Sequence, residues 1–402
     1  MNSLPTNTEA PRHLQYLRVF ALGFCAFIFN TSEFVPVGLL TDISTDFGIA
    51  PSQTGWMLTI YAWIVGVMSL PMMLITSRLE RKRLLLWTCS IFTLSHAMSA
   101  IAWDFQSLVI SRILVAFSHA VFWSITASIA IRVAPPGKMN FALSVLATGT
   151  GMAMVLGVPL GRLIGQTWGW RMAFEAIGLA ALMTTVAVFR LLPALPSMTT
   201  SGVASKLKSV FTNKLLFIIY FAILLTFTAH YTTYSYIEPF LQQYEGISEQ
   251  FTTFLLLLFG LAGILGSAAF AYFGEKYSNP LLIISGLGLA VCVLILGAAA
   301  NVTWLVMIVT IIWGASLMTT GLALQARALG LDPSASDIIM SLYSGIINVG
   351  IGAGALIGSI VIESAGIQYT SYTSACVAAL ALVVISYVTR LRLKHVSVSG
   401  GH

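Results

Sequence analysis

Residues 250–274 read QFTTFLLLLFGLAGILGSAAFAYFG, without a single Asp, Glu, Lys or Arg. A helix needs about 20 mostly apolar residues to cross a hydrocarbon core, and this stretch is long enough to do so. Comparable charge-free stretches recur at 47–77, 84–103, 113–131, 139–161, 215–237, 338–362 and 364–389. Two more spans come from 277–326, divided at the turn-like Asn301-Val302-Thr303. Residues 17–40 and 172–192, each with one carboxylate, complete the set. The pattern predicts an all-α membrane protein of twelve transmembrane helices.

Composition agrees. Of 402 residues, 57% are hydrophobic and 8% charged, where a soluble domain carries roughly 25% charged residues. The four cysteines, Cys25, Cys89, Cys292 and Cys376, fall in apolar stretches without CxxC spacing and read as buried small hydrophobes. No metal site and no cofactor are expected. The first apolar segment is too long for a cleaved signal peptide and reads as a span.

Charge placement orients the chain. With the N-terminus inside, all of the 20 basic residues except Arg112, Arg162 and Arg171 fall on the cytoplasmic side, as the positive-inside rule demands. Both termini are therefore expected in the cytoplasm. The net charge of +6 is a topology signal, and without a soluble basic patch no nucleic-acid partner is expected.

The chain also repeats itself. Sliding one half over the other so that Glu33 lands on His230 brings 77–83 onto 274–280, and Gly157 and Gly161 onto Gly354 and Gly358. The expected organisation is two pseudo-symmetric six-helix bundles, 1–192 and 214–402, joined by a cytoplasmic linker at 193–213. Such repeats are common in transporters, with the substrate and ion site between them near mid-membrane. Glycines spaced by four allow close helix packing.

Several segments carry a family resemblance. Gly157-Val158-Pro159-Leu160-Gly161-Arg162, followed by Gly169-Trp170-Arg171-Met172-Ala173-Phe174, resembles the fifth-span antiporter motif and following turn of the major facilitator superfamily. Arg112, within Leu108-Val109-Ile110-Ser111-Arg112, resembles that superfamily's fourth-span arginine motif. Glu80-Arg81-Lys82-Arg83 resembles its basic loop, although the usual Gly and Asp are missing. The segments 27–38 and 229–240 are similar to the first and seventh spans of bacterial sugar efflux transporters in the drug:proton antiporter branch. The resemblance implies a multi-pass protein of the bacterial inner membrane. Its implied activity is export of arabinose-like sugars and thiogalactosides, exchanged for protons.

Ionisable groups inside a bilayer are costly and mark function, so their scarcity shortens the search. Glu33 lies about 16 residues into its helix, roughly 24 Å from the inner end at 1.5 Å per residue. A proton carrier must be neutral when enclosed and free to ionise when water reaches it. Glu33 is the candidate carrier, and Asn30, one turn earlier, a candidate ligand for sugar hydroxyls.

On the seventh span His230, Tyr234 and Glu238 recur every four residues and are expected on one face. His230 and Tyr234 offer donors, acceptors and ring faces to a sugar. Glu238 is either a second proton-coupling group or a water-exposed cap at the outer end. On the fourth span His119 and Trp123 share a face and are candidate sugar ligands, and Arg112 lies two turns outward. Arg112 either attracts the Glu33 carboxylate or extends to lipid headgroups. Asn348 is a candidate sugar ligand from the second half, and Tyr61, Trp63 and Trp313 are candidate cavity-lining residues. His96, without an obvious polar cluster, reads as structural.

An enzyme would need a nucleophile–base pair or a metal constellation, and an ATP-driven pump a nucleotide loop. HExxH, GxSxG and GxxxxGK(S/T) are all missing, so transport rather than catalysis is expected. The expected partners are a small sugar, protons and the bilayer, with the chain acting as a monomer. Multidrug:proton exchange and sugar uptake are the alternatives.

Overall fold

The computed structural model describes residues 10–197, 203–274, 276–299, 302–332 and 335–390. The first nine residues, linker residues 198–202, Asn301 of the expected turn, and Arg392 and Lys394 of the charge count lie outside the described residues. Regular structure among the described residues is helical throughout.

The first half contains α1 (Arg12–Gly38), the short α2 (Leu40–Phe47), α3 (Pro51–Ile75), α4 (Arg81–Ala100) and α5 (Phe105–Val133). It continues with α6 (Met139–Met152), α7 (Val158–Trp168) and α8 (Trp170–Leu191). α9 (Val203–Thr212) lies within the stretch expected to be the linker. The second half contains α10 (Lys214–Tyr234), the three-residue α11 (Ile237–Pro239), α12 (Glu249–Phe273), α13 (Ser278–Ala298), α14 (Thr303–Leu331), α15 (Ser336–Ser364) and α16 (Tyr369–Arg390).

Local chemistry sets several boundaries. α5 opens on a capping box: Asp104 accepts from Ser107 N at 2.7 Å while Asp104 N donates to the Ser107 hydroxyl at 3.2 Å. Asn213 accepts from Leu215 N and Leu216 N to start α10. The Glu80 carboxylate accepts from Lys82 N and Arg83 N to start α4, and from Leu195 N, which ties the following chain to the basic loop.

Among the described residues, eleven helical spans are long and apolar enough to cross a membrane. The twelfth is α4, packed between α5 and α8. Ser90, Ser95, His96 and Ser99 lower its hydropathy, and Ser95, His96 and Ser99 are buried in the interior. α4 ends at Ala100, short of the expected boundary at 103.

The fifth span also departs from expectation. It runs through Trp168 rather than stopping at Gly161, because a π-turn at Ala153–Gly157 links α6 to α7. Pro159 has no N–H and crowds the preceding turn, and the π-turn accommodates it. Arg162 is thereby carried inside the bundle.

The repeat is visible in the packing. α1 packs on the fifth span with Gly157 against Thr31, Gly161 against Val35 and Gly165 against Leu39. α10 packs on α15 in the same way, Gly354 against Thr228–Thr232 and Gly358 against Thr232 and Tyr236. Lipid gives helices no hydrophobic reason to associate, so close backbone approach at small residues supplies the contact. The halves meet along two seams, α3 with α15 and α12 with the fifth span. Gly66 touches Gly345 and Val349 in the first, and Gly260 touches the backbone of Met154 and Val155 in the second.

Trp87, Met183, Phe189, Ile284 and Val383 are exposed around the perimeter, where a lipid-facing surface places apolar groups. Cys376 is exposed as well, correcting its expected burial; Cys25, Cys89 and Cys292 are buried.

Candidate functional site

Most of the groups singled out in the sequence fall into three clusters. The first lies within the first half. Glu33 on α1 is 8% exposed, and its Oε2 stands 3.5 Å from His119 Nε2 on α5. His119 Nδ1 is 2.9 Å from the Tyr61 hydroxyl on α3. With Nε2–H toward the carboxylate, Nδ1 accepts from Tyr61 O–H. Carboxylate, imidazole and phenol thus form one chain of groups able to hold and pass a proton. Trp123 stands at the edge of the cluster, its ring centroid 6.3 Å from that of His119.

Arg112 on α5 is 1% exposed, which excludes the headgroup-seeking reading. Nor does it bond Glu33 directly. Its Nη1 donates to the Ser32 hydroxyl at 3.1 Å and its Nη2 to the Ser32 carbonyl at 2.9 Å. The guanidinium lies 4.6 Å from the Tyr61 ring centroid and 5.7 Å from that of Phe174. Glu33 is within electrostatic reach of Arg112, and a buried cation of this kind needs such a counter-charge.

Ser32 continues the network to α4, its hydroxyl 2.8 Å from His96 Nε2. The other ring nitrogen, Nδ1, faces the Phe92 carbonyl at 2.9 Å. A carbonyl only accepts, so Nδ1 carries the proton and Nε2 accepts from Ser32. Ser32 therefore donates to His96 while accepting from Arg112. Sequence reasoning missed Ser32 and took His96 for an isolated structural residue. An imidazole in a span rich in serines was the available signal.

The second cluster surrounds His230 on α10. Its ring stacks on Tyr234 at 4.6 Å and 28°, and on Phe259 of α12 at 5.6 Å and 8°. Tyr231 and Trp313 of α14 meet it edge-on at 4.6 Å and 5.2 Å. His230 is fully buried, yet neither ring nitrogen has a hydrogen-bond partner among the described residues. The Trp313 indole N–H nearby is also unpartnered. Buried polar groups are nearly always satisfied, so this aromatic box presents unmet hydrogen-bonding capacity.

Other candidates stand apart. Asn30 donates to the Ala26 carbonyl at 2.8 Å and to Thr150 Oγ1 at 3.4 Å, so its amide nitrogen serves the α1–α6 contact. Asn348 donates to Ser344 O at 3.0 Å and leaves its Oδ1 unpartnered. It lies on α15 between Gly345 and Gly352, which touch Gly66 and Trp63. No hydrogen bond or ring contact among the described residues joins Asn348 to His230.

The third cluster contains Glu238, which does not extend the His230–Tyr234 stripe. α10 ends at Tyr234, and Tyr236 breaks the helical path before α11. Glu238 turns instead to the first half, 3.3 Å from Arg162 and accepting from Thr41 N at 2.9 Å. Both charged side chains are buried. Nearby Asp42, on α2, is pushed above the usual carboxylate range by burial, with Arg162 opposing and Glu249 adding to the shift.

This cluster lies at the end of the bundle away from residues 12 and 390. The cross-half hydrogen bonds between described residues gather there: Arg162 to Thr253 at 3.0 Å, Gln166 to Glu249 at 3.3 Å, and Ser359 to the Ser52 carbonyl at 3.1 Å. The distal end is tied shut.

A family model described as Major Facilitator Superfamily matches residues 22–336 and 246–400. Among solved structures, the fold is similar to a bacterial homolog of the human lysosomal transporter Spinster in an inward-facing, unoccupied conformation. That likeness has a TM-score of 0.72 at 14% identity and covers 95% of this chain and 98% of that one. The same homolog in an occupied, inward-facing conformation gives 0.73 at 15%, over 96% and 98%. A D-xylose-proton symporter gives 0.70 at 16% identity, over 93% of this chain and 97% of that one.

Proposed function

Because this chain belongs to the Major Facilitator Superfamily, we propose that it exports arabinose-like sugars and thiogalactosides in exchange for protons by alternating access. It is a multi-pass membrane transporter, not an enzyme. The reading places it as a monomer in the bacterial inner membrane, both termini cytoplasmic, with 193–213 joining bundles 1–192 and 214–402. On that orientation the tied end faces outside.

The observation that carries the proposal is the enclosed Glu33–His119–Tyr61 chain beside buried Arg112. Glu33 accepts a proton when its side of the cavity meets the outside. It gives the proton up when the inside opens and water reaches the carboxyl group. His230, Tyr234 and Asn348 supply unmet donors, acceptors and ring faces for the sugar. On this reading Asn30 and Trp123 stand beside the substrate path, and Glu238 governs access to it.

The test is proton movement in energised inverted vesicles as sugars are added. Sugar-dependent collapse of the gradient supports antiport; an unchanged gradient across arabinose and thiogalactosides contradicts it. The enclosed box of Tyr231, Tyr234, Phe259 and Trp313 favours a second reading, multidrug:proton exchange, because aromatic faces attract organic cations. Gradient collapse by cationic drugs but not by sugars selects that alternative.

A further inference from the structure

The distal end is closed by an exchange of opposite charges between the halves. From the first half, Arg162 Nη1 reaches Glu238 Oε1 at 3.3 Å and the Gly38 carbonyl, and Nε donates to Thr253 Oγ1 at 3.0 Å. From the second half, Glu238 Oε2 accepts from Thr41 N at 2.9 Å. Thr41 is in the first turn of α2, whose own N-cap residue, Leu39, offers no side-chain acceptor. The first N–H groups of a helix lack intrahelical partners, and here a carboxylate from the other half supplies one. A carboxylate at that position also meets the positive end of the helix dipole.

We propose that Arg162 and Glu238 form a two-way latch in which Glu238 caps α2 across the seam, so that parting the halves releases the first turn of α2. Arg162 and Glu238 are each 1% exposed, and separating a buried pair leaves each charge without its counterpart until water replaces it. α2 follows α1 after a single residue, Leu39. Release of α2 therefore loosens the end of the helix that carries Glu33. The latch rests on the alternating-access reading and not on the identity of the substrate.

The experiment uses the full-length protein in a Cys376→Ser background, without substrate or proton gradient. Spin labels at Thr167→Cys and Ser364→Cys, both exposed positions at the distal end, report the separation of the halves. Hydrogen exchange over residues 40–44 reports α2. The latched protein shows one short distance and slow exchange. Glu238→Gln loses the ion pair but keeps an acceptor, so a longer-distance population appears with a smaller change in α2. Glu238→Ala loses both functions, and α2 amides exchange roughly five-fold faster, the worth of a typical helix cap. Unchanged distances in Glu238→Gln overturn the latch even where Glu238→Ala fails to fold. Unchanged α2 exchange in folded Glu238→Ala overturns the capping role. Because neither readout involves transport, failure of proton coupling in vesicles leaves this result readable, and the reverse holds too.

Discussion

Glu33 and His230 occupy equivalent places in the two halves, and the chain treats them in opposite ways. Glu33 sits in a connected network that reaches His119, Tyr61, Arg112, Ser32 and His96 across four helices. His230 sits among rings with both nitrogens unpartnered. A network with every member engaged holds charge and passes protons. A buried imidazole left unsatisfied costs about 1–3 kcal/mol, a cost that a ligand's hydroxyl groups remove. In the proposed reading, one repeated position serves proton chemistry in the first half and ligand binding in the second.

Breaking the first side has the largest expected effect. Glu33→Gln keeps shape and hydrogen bonding but cannot titrate, so proton-driven sugar export falls on the order of 100-fold in vesicle flux assays. The second side gives a mixed outcome. His230→Phe preserves the stacking and removes the unpartnered nitrogens, so equilibrium binding weakens about tenfold while the melting temperature rises. Weaker binding with no gain in stability would mean that the imidazole is satisfied in the unliganded protein.

Ser32→Ala sharpens the contrast further. It leaves Arg112 Nη1 and His96 Nε2 without the hydroxyl that joins them, and unfolding free energy drops by about 1–3 kcal/mol. Asn30→Ala has the smallest effect: its amide nitrogen already bonds Ala26 and Thr150, so sugar affinity falls less than about threefold. A tenfold loss would restore Asn30 as a principal sugar ligand.

Much of the fold was legible because bilayers punish charge so severely. Charge-free stretches located the spans, and the glycine spacing of Gly157/Gly161 and Gly354/Gly358 anticipated the paired contacts of α1 with the fifth span and α10 with α15. Scarcity likewise exposed Glu33, His119, Arg112 and His230. What stayed hidden depends on tertiary contact. Ser32 meets His96 across 64 residues of chain. Arg162 lay just beyond a charge-free stretch, and its pairing with Glu238 shows only in the fold, where the π-turn carries its helix onward. Glu238 matched a four-residue stripe in the sequence, but the break at Tyr236 sends it to the other half.

We propose that Glu33 is the proton-coupling group while substrate is held elsewhere. The most direct measurement is sugar exchange against proton-driven sugar transport in proteoliposomes containing wild-type or Glu33→Gln protein. The predicted result is that Glu33→Gln retains sugar-for-sugar exchange but loses both sugar-dependent proton movement and accumulation against a gradient. Undiminished sugar-dependent proton movement in Glu33→Gln would contradict it.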